Sequence, residues 1–461
     1  MLSTKLCEEV LAKALSTGAD DGEIYAERTP ISSLHMVDKR LEDITDAVTA
    51  GAGIRVMLGT RTVYGSTNDL TREGLLRLAE QVSQALGEGK AQISIRLSPI
   101  TIPHLSPVQK IGSETPKKEK LDVLKRCYFA AFESDKRVVQ VNASLADVDR
   151  NILIATSDGK YITDRQVRTR LACSSVAEDK NGTESGFDGP GRRMGMEVFD
   201  SEIVPENVGK EATRIAIARL GAGYCPAGKM TVAIENGFGG VIFHEACGHS
   251  LEATSVATGT SQMAGKLGQK IANEKVTAVD DALIPNAWGS IDVDDEGNET
   301  HRNVLIEKGV LKSYMIDKLG GRRMGMPSTG SSRRQNYLYE PTSRMTNTFI
   351  ENGPDKNEDI IASMDNGLYC AKMGGGSVSP ITGAFNFAVE EGYLVKNGKI
   401  AECVKGASLI GTGSEVLMNI DMVGQNRFNG QGMCGSSSGS IPTEVGQPLI
   451  RISSITVGGR N

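Results

Sequence analysis

The residues best suited to metal chemistry lie in the segment His244-Glu245-Ala246-Cys247-Gly248-His249, which holds two of the five histidines of the chain. The pattern His-Glu-x-x-x-His is one residue longer than the HExxH motif of zinc peptidases. Neutral imidazoles bind zinc, and a neighbouring carboxylate can accept a proton from metal-bound water. The segment therefore predicts a hydrolytic metal centre with His244 and His249 as ligands and Glu245 as general base.

The spacing of the two histidines requires a distorted helix. On a regular helix, residues i and i+4 lie about 40° apart around the axis, whereas residues i and i+5 lie about 140° apart and point away from each other. A π-bulge with i→i+5 bonding would bring both rings together, and Gly248 would let the backbone deform. We therefore predict an irregular turn over 244–249. A regular helix would instead indicate a buried histidine with an ordinary hydrogen-bond partner.

A catalytic zinc ion needs a third protein ligand, and the residues alone leave several candidates. His104 and His301 have a suitable type, and Glu252 is near in sequence. Cys247 lies between the two histidines and could hardly face the same ion. Cys434 is flanked by glycines in a serine-rich segment, where a flexible backbone favours the approach of a thiolate.

The periodicity of the chain predicts a mixed α+β fold that positions these residues. Amphipathic patterns predict helices over 1–18, 69–86, 117–133 and 205–220. Strand-type sequence covers 23–65, 137–147, 150–157 and 160–176, and Asp158-Gly159 is typical of a hairpin turn. A glycine-rich loop is expected over 182–195. A strand and a glycine-rich turn are expected just before His244.

Proline and glycine clusters divide the chain into four expected parts. Prolines are concentrated between residues 99 and 116, which indicates an extended connector. Glycines and a proline near 221–228 mark the main boundary. The expected parts are an N-terminal α+β subdomain over 1–96, a proline-rich connector over 97–116 and a middle α+β subdomain over 117–225. The fourth is a strand-rich C-terminal catalytic domain over 226–461, which carries the His-Glu-x-x-x-His helix.

The composition excludes several classes of protein. With 51 basic and 57 acidic residues, the net charge of −6 argues against a general nucleic-acid binder, which needs clustered cations. No apolar run approaches the roughly 20 residues of a membrane helix. Charged residues within the first 18 positions indicate an amphipathic helix rather than a signal peptide. The eight scattered cysteines form no CxxC pair, which favours reduced thiols and a cytoplasmic location.

Several segments of the C-terminal part resemble the TldD/PmbA family of zinc metalloproteases. Besides the histidine motif, the similar segments occur in the family's order and cover most of 226–461. They are Arg344-Met-Thr-Asn-Thr348, Gly374-Gly-Gly-Ser-Val378, Lys405-Gly-Ala-Ser-Leu-Ile-Gly411, Gly432-Met-Cys-Gly435 with Val445-Gly-Gln-Pro448, and Ile455-Thr-Val-Gly-Gly459. The N-terminal half agrees with the family only in its general layout.

The resemblance implies roles for individual residues. His244 and His249 match the family's two zinc histidines, Glu245 its general base, and Cys434 its cysteine ligand. All four are present, so the chain is similar to the catalytic TldD type rather than to the metal-free PmbA (TldE) type. The implied cofactor is one Zn²⁺ per catalytic chain.

The resemblance also implies a substrate and a partner. Family proteases form dimers, so the partner would be a PmbA/TldE-like non-catalytic subunit or a second identical chain. They cleave unfolded or leader-type peptides, which bind as an extended strand. Gly374, Gly375, Gly376 and Ser377 are candidates for pairing with that strand. The alternative is a non-proteolytic modulator of a partner such as gyrase, with the metal structural or absent.

Overall fold

The computed structural model describes residues 1–87, 89–379 and 381–460. Strands prevail over helices within them, and the two are mixed along the chain, which confirms the predicted α+β class. Throughout these residues, no helix is both long and apolar enough to span a membrane. The helices are α1 Thr4–Ala14, α2 Arg72–Leu86, α3 Lys117–Phe132, α4 Val198–Ser201, α5 Pro205–Leu220, α6 Val241–Ala246, α7 Ala253–Val256, α8 Lys318–Met324, α9 Asn357–Ala362 and α10 Gly413–Asn419.

One sheet spans the N-terminal half. Its strands are β1 Asp21–Val37, β2 Arg40–Leu58, β3 Arg61–Thr67, β4 Ser98–Ile100, β5 Val138–Thr156, β6 Lys160–Asp179, β7 Gly182–Asp188 and β8 Gly191–Arg192. Their order is β3-β2-β1-β5-β6-β4, and β7 and β8 also pair with β6. The sheet takes strands from both sides of the segment 97–116, so the N-terminal and middle parts share it. The division at 96, 116 and 225 stays a prediction.

Helices cover this sheet through two hydrophobic clusters. Helices α1 and α2 pack on β1 and β2, and Leu11 and Ile54 are buried between them. Helices α3 and α5 pack together near β5 and β6, where Leu124 and Leu145 are buried. Burial of this apolar surface is the main stabilising contribution to such a layer.

The C-terminal half contains two further sheets and a small hairpin. Its strands are β9 Gly223–Tyr224, β10 Gly228–Ile234, β11 Ala278–Asp281, β12 Arg302–Glu307, β13 Val310–Leu311, β14 Ser332–Arg333, β15 Thr342–Ser343, β16 Asn347–Ile350, β17 Asn366–Val378, β18 Ala384–Lys396, β19 Lys399–Lys405, β20 Ser408–Thr412, β21 Ile420–Val423, β22 Phe428–Ser436, β23 Gly439–Gln447 and β24 Ile450–Gly458. One sheet has the order β17-β10-β24-β20-β18-β19-β9, and β17 also pairs with β18, which closes a ring of strands. The other has the order β13-β12-β11-β16-β23-β22.

The short helix α6 lies in the core that these two sheets share. Its residues Ile242 and Phe243 are fully buried, in one cluster with Leu368 of β17, Ile450 of β24 and Val445 of β23. A helix buried in this way cannot move without disturbing both sheets, because protein interiors are close-packed. The fold therefore fixes the position of whatever α6 carries.

Candidate metal centre

Helix α6 carries His244 and is entered through a tight glycine-rich turn. Strand β10 ends at Ile234 and a 3₁₀ turn covers Phe238–Gly240. A Cβ atom at Gly240 would lie 2.3 Å from the backbone nitrogen of Gly446, so only glycine lets the turn approach β23 this closely. His244 is buried, with a relative exposure of 3%.

The backbone from His244 to His249 is irregular, as the spacing predicts, and the irregularity is a break between two helical turns rather than a π-bulge. Helix α6 stops at Ala246, Cys247 has φ −133° and ψ −43°, and a 3₁₀ turn over Gly248–Leu251 carries His249. Cys247 is fully buried in the core. The φ angle of Gly248 is not positive, so this glycine does not serve a left-handed turn. It instead makes room for Met345, whose sulfur would lie 2.4 Å from a Cβ atom there.

The structure brings His244, His249 and Cys434 together. The Nε2 atoms of both histidines lie 3.3 Å from the Sγ atom of Cys434. The ring centroids are 5.0 Å apart and the ring planes are inclined by 84°. Tetrahedral zinc with its usual bond lengths separates nitrogen and sulfur ligands by about 3.6 Å. The donors are therefore close enough to share one ion, and a nitrogen and sulfur set suits zinc.

The strand that carries Cys434 is held on both sides of the thiol. Cys434 lies on β22, opposite Ile441 of β23. The indole Nε1 of Trp288 donates a 3.0 Å hydrogen bond to the carbonyl of Gly432. The guanidinium of Arg344 donates a 2.6 Å hydrogen bond to the carbonyl of Cys434 itself. Rigid support of this kind is what a preformed ligand set requires.

The charges of the cluster favour the thiolate form of Cys434. Burial alone would raise the pKa of the thiol, but the charge of His244 and hydrogen bonds from both histidines lower this pKa to about 3. Burial would lower the pKa of His249, yet the Glu252 carboxylate and Cys434 raise it well above its usual value. A thiolate beside imidazoles is the state from which a metal is bound, because the metal displaces no thiol proton.

This charge distribution predicts the alkylation behaviour of the metal-free protein. Iodoacetamide should modify Cys434 at a rate that is flat between about pH 5 and pH 8, because its thiolate population is already complete above the lowered pKa. A thiol with a pKa near 8.5 would react about tenfold more slowly for each pH unit below that value. Peptide mapping by mass spectrometry identifies the site.

Two controls accompany this measurement. Cys434→Ser should remove the fast adduct, since Cys247 and Cys370 are fully buried and burial raises the pKa of both thiols. Zinc added before the reagent should protect Cys434. A rate that climbs steadily from pH 5 to pH 8 would contradict the preformed thiolate.

Glu245 and Glu252 lie on different sides of His249. One oxygen of Glu245 is 3.7 Å from Nε2, on the side of the donor atoms, and its side chain is 21% exposed. One oxygen of Glu252 is 3.2 Å from Nδ1. The two ring nitrogens point in different directions, so Glu252 contacts the nitrogen that points away from Cys434 and does not face the donor atoms.

The remaining candidates for a third ligand lie elsewhere. Cys247 points into the core and His301 is exposed. His104 Nδ1 is 3.1 Å from Asp292 and 3.5 Å from Asp164. These three groups also lie within reach of one ion. However, Arg193 donates to both oxygens of Asp292, at 2.9 and 2.5 Å, so this carboxylate is already neutralised by an arginine.

Sequence reasoning missed the partners that hold the donors. Arg344 occurs in a segment that resembles the family, but its contact with Cys434 carries no signal in residue spacing. The hydrogen bond from Trp288 to the carbonyl of Gly432 likewise carries no signal in residue spacing. Glu252 was considered as a ligand rather than as a hydrogen-bond partner of His249. A carboxylate shortly after a metal histidine is the one signal that could have indicated this role.

The segment Gly374–Ser377 lies on β17, where the strand has a free edge. Strand β10 pairs with β17 only as far as Cys370. Beyond that residue, the strand pairs of the described residues give β17 only β18 as a neighbour. The pairing has an extra residue between Met373 and Gly376, and Gly375, Gly376 and Ser377 are exposed. The free edge is therefore available to an added strand.

The hairpin of β17 and β18 reaches the helix that carries His244. The carbonyl of Gly383, in the connection between the two strands, accepts a 2.9 Å hydrogen bond from the amide of Gly413. Gly413, at the start of α10, packs on α6, because a Cβ atom there would lie 1.7 Å from the carbonyl oxygen of Ala246. The free edge and the donor cluster are thus connected through α10.

Replacing Gly413 with alanine should destabilise the protein by about 1–3 kcal/mol or more, because the added methyl overlaps backbone that cannot rotate away. Chemical denaturation measures the loss. The matched control is Gly221→Ala, where nothing lies within 4 Å of the added atom and which should change stability by less than about 0.5 kcal/mol. Equal stability of the two variants would contradict the close packing of α10 on α6.

Two histidines, a cysteine thiol and an adjacent glutamate are residue types that can hold a zinc ion and accept a proton beside it. Comparison with known proteins agrees. Family models described as PmbA/TldA metallopeptidase domain 1, central domain and C-terminal domain match residues 22–86, 111–220 and 227–459. The chain therefore belongs to the PmbA/TldD family of metallopeptidases.

Relatives with assigned names are similar over the full chain. A metalloprotease TldD homolog of Buchnera aphidicola (subsp. Acyrthosiphon pisum) is 36% identical, over 95% of this chain and 93% of the relative. One from Haemophilus influenzae is 35% identical, over 100% of this chain and 97% of the relative. A Saccharolobus solfataricus protein named zinc metalloprotease TldD homolog is 25% identical, over 97% and 99%.

Solved structures share the fold at lower identity. A Thermotoga maritima protein, named as a proposed modulator of a DNA gyrase, has a TM-score of 0.79 and 23% identity, covering 98% of this chain and 99% of its own. TldE from Thermococcus kodakarensis has a TM-score of 0.78 and 19% identity, covering 99% of both chains. At these identities the likeness shows the common fold alone.

Proposed function

We propose that this protein is a zinc-dependent metallopeptidase of the catalytic TldD type, which hydrolyses unfolded or leader-type peptides. The observation that carries the proposal is the convergence of His244, His249 and Cys434, with both Nε2 atoms 3.3 Å from Sγ. These residues would hold one zinc ion per chain. Three protein ligands leave one coordination position for water or substrate, as in catalytic zinc sites.

The proposed chemistry divides between the ion and Glu245. A bound zinc ion would polarise the scissile carbonyl and acidify a water molecule. The Glu245 carboxylate would accept the proton of the attacking water and deliver it to the leaving amine. Its position supports this role, because it lies 3.7 Å from His249 Nε2 and is more exposed, at 21%, than the 12% of the histidine.

The free edge of β17 supports an extended peptide as the substrate. A peptide that added as a strand beside Gly374, Gly375, Gly376 and Ser377 would bind through its main chain, which suits substrates of varied sequence. Such a strand needs a flexible chain, since the main chain of a folded domain is already paired. The glycines present no side chains that would block its approach.

The partner and the location are proposed from the family. We expect a dimer with a PmbA/TldE-like non-catalytic subunit or with a second identical chain, and the shared fold of TldE supports such a complex. All eight cysteines are free thiols, which supports the reducing cytoplasm as the place of action. Neither direct nucleic-acid binding nor membrane attachment is part of this proposal.

The name of the Thermotoga maritima neighbour favours a second candidate, a non-proteolytic modulator of a partner protein. In that case a metal would be structural or absent. A structural zinc site has four protein ligands, whereas the cluster formed by the described residues here has three. The open position favours the peptidase.

Metal analysis combined with a peptide assay tests the proposal. The purified full chain, alone and with a TldE-type partner, should contain about one zinc ion per chain by mass spectrometry. It should cleave an unstructured fluorogenic peptide, lose this activity to a chelator and regain it when zinc is restored. Failure to bind zinc supplied in excess, with and without the partner, would refute the proposal. Bound zinc without any hydrolysis would favour the modulator.

A further inference from the structure

We infer that Arg344 and Glu252 form a positioning pair, which holds two of the proposed zinc ligands in register from outside the site. Glu252 fixes the ring of His249, and Arg344 fixes the main chain of Cys434. The inference rests on the proposed function. Both residues lie outside the set of donor atoms, and they act as one unit.

Glu252 acts on His249 through the ring nitrogen that faces away from the thiol. Its Oε2 atom is 3.2 Å from Nδ1, while Nε2 is 3.3 Å from the sulfur of Cys434. A carboxylate at Nδ1 keeps a proton there and leaves the Nε2 lone pair for a metal. The Glu252 side chain is only 8% exposed, so its carboxylate is largely shielded from water and depends on protein partners.

Arg344 ties together the hairpin that carries Cys434. Its side chain is fully buried. One terminal nitrogen donates to the carbonyl of Cys434 at 2.6 Å, and the other donates to Ser438 Oγ at 2.9 Å and to the Gly439 carbonyl at 3.0 Å. The guanidinium therefore bridges the end of β22 and the start of β23. A lysine could not make these contacts together, since it has a single nitrogen.

The two side chains meet each other on their remaining polar atoms. Arg344 Nε lies 3.8 Å from Glu252 Oε1. Each of these buried atoms lacks a hydrogen-bond partner among the described residues. Buried charges require compensation, and here each group supplies the opposite charge that the other needs. The separation is that of an ion pair rather than of a hydrogen bond.

The pair thereby connects segments that are far apart in the chain. Cys434 and His249 are separated by 185 residues. Contacts run from His249 to Glu252, from Glu252 to Arg344 and from Arg344 to the main chain of Cys434. A shift of the hairpin relative to the 3₁₀ turn would break this series of contacts. The distance between sulfur and nitrogen donors is thus set by residues outside the donor set.

Zinc affinity measured on single and double variants tests the inference. Glu252→Gln and Arg344→Lys should each raise the zinc dissociation constant about 10–100-fold, as loss of an outer partner does. The double variant should lose less than the product of the two single effects, because both residues act in one unit. Competition with a chromophoric chelator gives the constants. In the cobalt-loaded protein, the thiolate-to-metal absorption band should shift in both single variants.

Arg334→Lys is the matched control. Arg334 is also a fully buried arginine, paired with Glu23 at 2.7 Å in a different network. Its replacement should leave the zinc dissociation constant within about twofold of the wild type. Circular dichroism of the metal-free variants verifies folding. If Arg344→Lys does not fold, Ser438→Ala removes one acceptor of Arg344 and should weaken zinc binding several-fold.

Each outcome bears on the inference. Single variants that bind zinc like the wild type, with an unchanged cobalt spectrum, would overturn it. Fully multiplicative effects in the double variant would show that the two residues act separately, which also overturns it. Wild-type protein that binds no zinc would refute the proposed function instead. The two failures are therefore distinguishable.

Discussion

Replacing Glu245 with glutamine should lower kcat/KM for an unstructured peptide by about 10²–10⁴-fold while the zinc content stays at the wild-type level. Glutamine keeps the size of the side chain and removes the basic oxygen. The Glu245 carboxylate lies beside the donor cluster, 3.7 Å from His249 Nε2. It is not one of the three donor groups, which are two imidazoles and a thiol. Peptide kinetics and metal analysis on the same preparation measure both quantities.

The matched control is Glu307→Gln, which changes an exposed carboxylate of the same domain. It should retain the wild-type rate. A Glu245→Gln protein that loses its zinc would show that this residue is a ligand rather than a base. Unchanged kinetics would remove Glu245 from the mechanism altogether.

Replacing Cys434 with serine should abolish detectable hydrolysis and weaken zinc binding by more than the 10–100-fold that loss of an outer partner costs. A serine hydroxyl at neutral pH is a poor substitute for a thiolate, which this site stabilises strongly enough to lower the pKa of Cys434 to about 3. Chelator competition gives the affinity, and the peptide assay gives the activity.

Cys403→Ser provides the comparison, since Cys403 lies on β19 and is half-exposed. It should bind zinc and cleave peptide normally. Full metal content and activity in Cys434→Ser would exclude the cysteine as a ligand, and the third ligand would have to be sought again.

Local signals predicted several elements well. Pro205 begins α5 and Ser3 caps α1, where its hydroxyl accepts a hydrogen bond from the Leu6 amide. Gly159 adopts the positive φ of 101° that a tight turn between β5 and β6 requires. In each case the deciding interaction lies within a few residues of the signal. Sequence patterns are most informative under that condition.

Predictions that depended on distant contacts were less successful. The expected break after 147 is absent, because β5 continues through Asp149, which pairs with Val167 of β6. The segment 182–195 was expected to be a loop, yet it forms β7 and β8. Packing of α5 against Gly186 of β7 explains part of this difference between the expected loop and the observed strands. A Cβ atom there would lie 2.2 Å from the carbonyl of Ala212, so α5 packs directly on β7.

In the metal centre, too, local features were predictable and features that depend on distant contacts were not. The motif around His244 is local, and its spacing alone indicated an irregular backbone. The form of that backbone depends on Cys247 in the core and on Met345 against Gly248, neither of which leaves a pattern in the sequence. Cys434 was selected by resemblance to a family, because residues 190 positions apart share no periodicity.

The distance along the chain between the two halves of the donor set has a consequence for biosynthesis. A polypeptide that is still being translated contains both histidines and Glu245 long before β22 emerges with its thiol. Helices and sheets of the N-terminal half can form meanwhile, since domains generally fold as units during synthesis. The complete zinc set would arise only after nearly all of the scaffold is in place. Nascent and prematurely terminated chains that end before β22 would therefore lack the sulfur ligand of the proposed metal centre.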